Sequence, residues 1–220
     1  VRLHIVEFRG FERFIQGRPY WEVPVMVQRL CGICPVSHHL AASKALDIVV
    51  GAKQLTPTAE KMRRLMHNGQ MLQSHALHFF HLSSPDLLFG FDSPVAQRNI
   101  VGVAAKYPDI AKKGILLRKF GQEVIRYTAG KRVHGTGSVP GGVNRALTGA
   151  ERNELLKDAD QMVDWSRDAV KIIKELHMQN PALYDAFGTF RSNFMGLVDS
   201  SGALDLYHGG LRAKDADGAI

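Results

Sequence analysis

The segment Gln28-Arg29-Leu30-Cys31-Gly32-Ile33-Cys34-Pro35-Val36-Ser37-His38-His39 holds both cysteines of the 220-residue chain. They form a C-x-x-C pair with a histidine four residues past the second. Two thiolates at that spacing can bind one metal centre or close one redox disulfide. Pro35 suits the first turn of a helix, where a missing N–H costs least. From Leu40 an apolar stripe (Leu40, Ala41, Ala45, Ile48, Val49) runs to a stop at Gly51. The cysteines therefore stand at a helix N-terminus, where backbone N–H groups and the helix dipole stabilise thiolates.

Three chemistries fit such a pair. A redox dithiol matches the spacing, but a thioredoxin-type site needs short βαβ units around it, and long helical patterns dominate here. A structural zinc site needs four ligands, and closure by the adjacent His38 and His39 is cramped. Half of a catalytic metal site, completed by residues beyond this chain, is the third. Four further histidines, His67, His75, His78 and His81, lie on one helical pattern. No carboxylate is in register with them, and Leu77, Phe79, Phe80 and Leu82 stand among them, so buried, hydrogen-bonded histidines are the favoured reading over ligands.

The elements that position these residues follow from patterning. Arg2 to Phe8 alternates like a half-buried strand. Phe11 to Gln16 reads as a short helix ended by Gly17-Arg18-Pro19, and Val23 to Leu30 as a helical turn or an extended piece. Thr56-Pro57-Thr58-Ala59-Glu60 is a helix start, and that helix is expected to reach about Leu82. Ser93 to Ala105 and Asp109 to Thr128 read as two more. A glycine-rich loop, Gly130 to Val143, follows. It is neither a dinucleotide fingerprint nor a Walker loop. Thr148-Gly149-Ala150-Glu151 is a capping box opening a long amphipathic helix to about His177. Short strands and turns are expected at Leu197-Val198-Asp199 and from Leu204-Asp205 onward.

Hydrophobic residues make up 45% and charged residues 22%, a mix suited to a globular protein with a sizeable core. No apolar run approaches the roughly 20 residues of a membrane span, and no signal-peptide pattern opens the chain. Two cysteines cannot build a secreted disulfide framework, so a reducing, cytoplasmic setting is expected. The net charge of +7 is dispersed over Lys61-Met62-Arg63-Arg64, Lys112-Lys113, Arg118-Lys119 and Lys131-Arg132. That dispersion favours solvated helix faces or a docking surface for an acidic partner over nucleic-acid binding. Val1 without a methionine and the terminal Lys214 to Ile220 turn both read as cut, so residues 1–220 are expected to be one N-terminal portion of a larger domain, truncated at both ends.

The third chemistry gains weight from a resemblance. Arg29-x-Cys31-Gly32-Ile33-Cys34-x-x-x-His38 resembles the N-terminal signature of nickel–iron hydrogenase large subunits. Phe8-Arg9-Gly10-Phe11-Glu12 stands where that family has the same phrase. Gln73-Ser74-His75-Ala76-Leu77-His78-Phe79-Phe80-His81-Leu82 is similar to its long helix, and His134 with Gly141-Gly142-Val143 falls at its glycine-rich loop. The wording most resembles the soluble NAD-reducing hydrogenases. It covers most of the chain and is specific to about Arg152; beyond that only Tyr207-His208-Gly209 matches.

The resemblance implies a predominantly helical α+β fold, a bundle of long helices with a small N-terminal sheet. It implies a nickel–iron centre held by four cysteines, with carbon monoxide and cyanide on the iron. Cys31 would be a terminal nickel ligand and Cys34 a bridging one, soft donors for such metals. His38 would donate a hydrogen bond to a cluster sulfur. Glu12 would serve a magnesium or similar divalent site, and His134 would lie close to an iron–sulfur cluster of a small partner subunit. The implied activity is reversible H2 oxidation coupled to NAD+ reduction, with iron–sulfur clusters, FMN and NAD in small-subunit and diaphorase partners. The second cysteine pair, the N-terminal Arg-Ile-Glu-Gly-His segment with its glutamate, and the C-terminal histidine of the magnesium site are not in this sequence. NADP or a deazaflavin stays open as the final acceptor, which the partners decide. The rival readings are a metal-free, hydrogenase-like subunit of a respiratory complex and the dithiol redox protein. Retention of both cysteines argues against the first of these.

Overall fold

The computed structural model describes residues 4–218. They form two compact units, one up to Ser166 and one from Arg167 onward. The first is helical. It comprises α1 (Gly10–Ile15), a short 3-10 turn (Tyr20–Glu22), α2 (Val23–Met26) running into a 3-10 stretch (Val27–Leu30), α3 (Pro35–Val49), α4 (Pro57–Leu77) and α5 (Ser84–Phe89). Then come α6 (Ile100–Lys106), α7 (Pro108–Ala129), the strand pair β1 (Ser138–Val139) and β2 (Gly142–Val143), and the start of α8 (Gly149–Gln179). The second unit holds the end of α8, α9 (Pro181–Ala186) and an antiparallel pair, β3 (Phe194–Val198) with β4 (Gly210–Lys214).

Local chemistry starts these helices where the sequence places them. Thr56 Oγ1 accepts the Ala59 N–H at 3.2 Å, satisfying one of the donors a helix start leaves over. The capping box at α8 is reciprocal: the Glu151 N–H reaches Thr148 Oγ1 at 3.2 Å, and the Thr148 N–H reaches Glu151 Oε2 at 2.9 Å.

α4 and α7 pack along each other at the centre of the first unit. Their closeness depends on Gly69 and Gly121, which meet at the crossing. A Cβ on Gly121 would stand 2.7 Å from both the Gln73 nitrogen and the Gly69 carbonyl oxygen, nearer than side chains tolerate. The core beside the cysteine segment is Val36 and Leu40 of α3, Met66 of α4, and Ile125 and Ala129 of α7.

Several expectations shift. The fold is the expected predominantly helical α+β type, but its small sheets are β1–β2 and β3–β4. No strand forms over His4–Phe8, which are exposed and lie beside no strand among the described residues; Arg2 and Leu3 lie outside them. An isolated strand would leave its amides without ladder partners. The helix expected to reach Leu82 passes into a π-helical turn at His78–Ser83. Pro85 offers no N–H and its ring crowds the carbonyl one turn back, while Ser84 Oγ donates to the Phe80 carbonyl at 2.6 Å. The helix expected from Ser93 begins only at Ile100, because Asn99 Oδ1 caps the Val101 and Gly102 N–H groups at 3.0 Å each. α9 was not expected; Pro181 opens it and the Asn180 side chain caps it.

Candidate metal centre

The C-x-x-C segment is wrapped around the Cys31 sulfur. Cys31 is extended, and the backbone N–H groups of Ile33 and Cys34 turn back to its Sγ at 3.3 and 3.2 Å. Cys34 stands one residue before α3. Both thiols are free and half-buried. His38, one turn into α3, brings Nε2 to 3.5 Å from Cys34 Sγ. The expected partnership of Cys31, Cys34 and His38 is thus assembled in one place.

The two sulfurs are made unequal. A hydrogen bond with the Cys34 thiol, then the Cys34 and Ile33 backbone N–H groups, hold the Cys31 thiol below its ordinary value. Burial, then the bond to Cys31 and its charge, push Cys34 up to about 11. Of the two, Cys31 gives up its proton more readily and Cys34 keeps its own. A soft cation displacing that proton would meet two adjacent sulfur donors.

Four contacts from other elements hold this loop. Gln70 and Gln73 of α4 both donate from Nε2 to the Ile33 carbonyl, at 3.0 and 2.7 Å. His134 Nε2 lies 3.2 Å from both the Gln28 and Cys31 carbonyl oxygens. His134 has φ 54°, a left-handed conformation that aims its ring inward from the glycine-rich loop. His39, 1% exposed, accepts the Ser138 N–H at Nε2 (3.0 Å), so its Nδ1–H donates to the Pro24 carbonyl at 2.8 Å. Burial, aided by the Arg63 charge, lowers the His39 pKa against the pull of those two bonds.

Arg63 is a departure from the solvated basic faces that its sequence neighbourhood suggests. Its side chain is 0% exposed and forms a two-pronged pair with Asp47 of α3, at 2.6 and 3.0 Å. It also donates to the carbonyls of Val139 and Gly142, and the Gly141 N–H reaches Asp47 Oδ1 at 2.6 Å. α3, α4 and the β1–β2 turn are tied by this one cation. Burial of such a charge is tolerable because each of the three guanidinium nitrogens finds an oxygen.

Glu12 is not brought to the cysteines. It sits on α1, its side chain 70% exposed, 3.9 Å from Arg9. Among the described residues no three His, Cys, Asp or Glu side chains are grouped to hold a metal ion. Cys31 and Cys34 offer two sulfur donors, and the sequence has no other cysteine. Of the histidines on α4 and the π-helical turn that follows it, His75 and His78 are exposed rather than buried. His75 is bonded to the Met71 carbonyl and His78 to Ser83; His81 is half-buried.

Gln70, Gln73, Asp47 and Arg63 were not singled out from sequence. The signal for the glutamines was present: two amides three residues apart on the face of α4 that also carries the core residue Met66.

Residues 9–92 match the family model described as nickel-dependent hydrogenase. The chain is 48% identical, over 98% of its length, to the NAD-reducing hydrogenase HoxS subunit beta of Cupriavidus necator, 46% of which is covered. It is 47% identical, over 99% of its length, to one chain of the vhu F420-non-reducing hydrogenase of Methanocaldococcus jannaschii, with 52% covered. It superposes with a TM-score of 0.93 and 60% identity on a crystal structure of an NAD+-reducing [NiFe]-hydrogenase in the H2-reduced state, covering 100% of this chain and 49% of that one. The chain spans about half the length of the curated relatives it matches.

Proposed function

The chain belongs to the nickel-dependent hydrogenase family, and from that premise we propose that it is the N-terminal part of the catalytic subunit of an NAD-linked nickel–iron hydrogenase. Residues 1–220 would be one portion of a single large-subunit domain. The reaction is reversible H2 oxidation, its electrons leaving through a small iron–sulfur subunit and flavin-bearing diaphorase subunits to NAD+. The observation that carries this reading is the Cys31–Cys34 pair with His38 on the Cys34 sulfur. It stands in a chain whose likeness to the Cupriavidus necator subunit runs nearly end to end. A similar identity to an F420-non-reducing hydrogenase supports the hydrogenase chemistry and leaves the acceptor to the partners.

Cys31 and Cys34 would hold the nickel–iron centre, which carries carbon monoxide and cyanide on its iron. When bound, that centre supplies the Lewis acid for heterolytic H2 cleavage. Cys31, whose hydrogen bonds favour its thiolate form, would be a donor for a soft metal. With Nε2 protonated, His38 would donate to the Cys34 sulfur and restrain that sulfur's basicity. Glu12 would contribute a carboxylate to a magnesium or similar hard divalent ion, with the other ligands supplied from outside the described residues. His134, behind the Cys31 carbonyl, would lie near the partner's iron–sulfur cluster. No described helix is long and apolar enough to cross a membrane. On its likeness to the NAD-reducing hydrogenase subunit of Cupriavidus necator, we place the enzyme in the cytoplasm.

The test is Cys31→Ser in the full-length assembled enzyme, read as nickel content and as H2-dependent NAD reduction. Both are expected to be lost. Normal nickel with normal turnover would reject the assignment.

A further inference from the structure

The Ile33 carbonyl and the Cys34 N–H are the two ends of one peptide group. Its N–H points at the Cys31 sulfur at 3.2 Å. Its oxygen receives two side-chain amides, Gln73 at 2.7 Å and Gln70 at 3.0 Å. Both glutamines are buried, at 4% and 2% exposure. Only an amide nitrogen can donate to a carbonyl, so the orientation of both side chains is fixed by chemistry. Two donors on one carbonyl draw electron density toward its oxygen and make the N–H at the other end a stronger donor. Chains of hydrogen bonds polarise one another in this way where water is excluded.

The surroundings hold this arrangement rigid. Gly121 of α7 lies so close that an added Cβ would stand 2.7 Å from the backbone nitrogen of Gln73 and 2.8 Å from its Cβ. Gln73 is thus pressed between α7 and the cysteine loop. A plain loop clamp needs one donor. A second buried amide on the same oxygen costs desolvation and side-chain freedom, and its effect passes to the sulfur.

We infer that Gln70 and Gln73 are positioning residues that set the electron donation of the Cys31 sulfur through the Ile33–Cys34 peptide. The inference rests on the reading of Cys31 as a metal ligand. Hydrogen bonds to a ligating sulfur withdraw charge from it and favour the more reduced state of the metal. Methionine resembles glutamine in length and shape but has no N–H to donate. Replacing either glutamine by Met therefore weakens the Cys34 N–H···S bond while largely filling the same space.

The experiment compares wild type, Gln70→Met, Gln73→Met and the double variant as full-length assembled enzymes. Nickel is quantified, and the midpoint potential of the metal centre is followed spectroscopically. The expected result is retained nickel and a potential moved to more negative values in each single variant, further in the double. Unchanged potentials at full nickel content would overturn the inference and leave the metal reading intact. Absence of nickel from the wild-type enzyme would instead remove the metal reading, and this inference with it. Failure of both single variants to assemble would assign the glutamines to folding and also overturn it. Gln73→Lys, which restores a donor at that position, is expected to recover part of the shift; no recovery, with the lysine seen bonded to the Ile33 carbonyl, would count against transmission through the peptide.

Discussion

His134 Nε2 lies 3.2 Å from the Cys31 carbonyl oxygen, joining residues 103 positions apart in the chain. This contact makes the glycine-rich loop a wall of the cysteine site. The loop is held from below as well: Ser138 donates to His39, Gly141 to Asp47, and Asn144 to the Gly137 carbonyl. Gly137 fits because a Cβ there would stand 2.5 Å from the Thr128 carbonyl oxygen.

These bonds refine what docking of an iron–sulfur partner does to the loop. The Thr136, Ser138 and Gly141 amides are already bonded within the chain. Extra protection from hydrogen exchange on partner binding is therefore expected mainly at Lys131, Arg132 and Val133, which are exposed. The measurement is peptide-level exchange of the full-length chain with and without its small iron–sulfur partner. Equal exchange at those residues in both states would move the docking face elsewhere.

Arg63 gives a stability prediction. Arg63→Met leaves the Asp47 carboxylate and two loop carbonyls without their cation. Breaking a buried pair by removing one partner costs on the order of 3–5 kcal/mol. Chemical denaturation of the full-length chain should show that loss. The paired variant Arg63→Met with Asp47→Asn should lose less than the two single losses added together, because it leaves no orphaned charge. Strict additivity would mean that the pair does not couple α3 to the loop.

The contrast between Arg63 and the cysteines explains what was legible in the sequence. Cys31, Cys34 and His38 are close in the chain, so their spacing alone brings them together on a helix start. The helices were legible because Thr56 and Thr148 announce their caps locally. Arg63 reads as one basic residue beside Arg64, and nothing local says that it pairs with Asp47, 16 residues away, and with carbonyls up to 79 residues away. Gln70 and Gln73 were hidden for the same reason: their partner is a backbone oxygen 37 and 40 residues distant. The π-helical turn at His78 is a third case, set by competition between Pro85 and the i→i−4 ladder rather than by propensity.

Acid should loosen the same junction through His39. Its folded pKa lies below the ordinary 6.5, first because it is buried, and also because Arg63 is charged nearby. Between that folded value and about 6.5 the unfolded chain binds more protons at this site than the native one, so stability rises with pH there. The contribution is fully present above 6.5 and is lost as pH falls through the folded value. Protonation also removes the Nε2 lone pair that accepts the Ser138 N–H. His81, lowered by burial and by Arg118, adds a term of the same sign. Denaturation of the full-length chain across this window should show a positive slope with pH, reduced in His39→Gln. An identical slope in that variant would show that His39 does not titrate on unfolding.

His38 offers the sharpest separation of roles within the site. Its ring nitrogen is 3.5 Å from the Cys34 sulfur, a hydrogen-bond contact that leaves the sulfur free to bind metal. Partners of ligands tune a site by about 10–100-fold in affinity or activity rather than creating it. His38→Gln in the assembled enzyme is therefore expected to keep most of its nickel while H2-dependent turnover falls by roughly that factor. Loss of all nickel would make His38 a ligand or an assembly residue. Unchanged turnover would return it to an ordinary helix histidine, and the half-buried contact with Cys34 would then be one of packing alone.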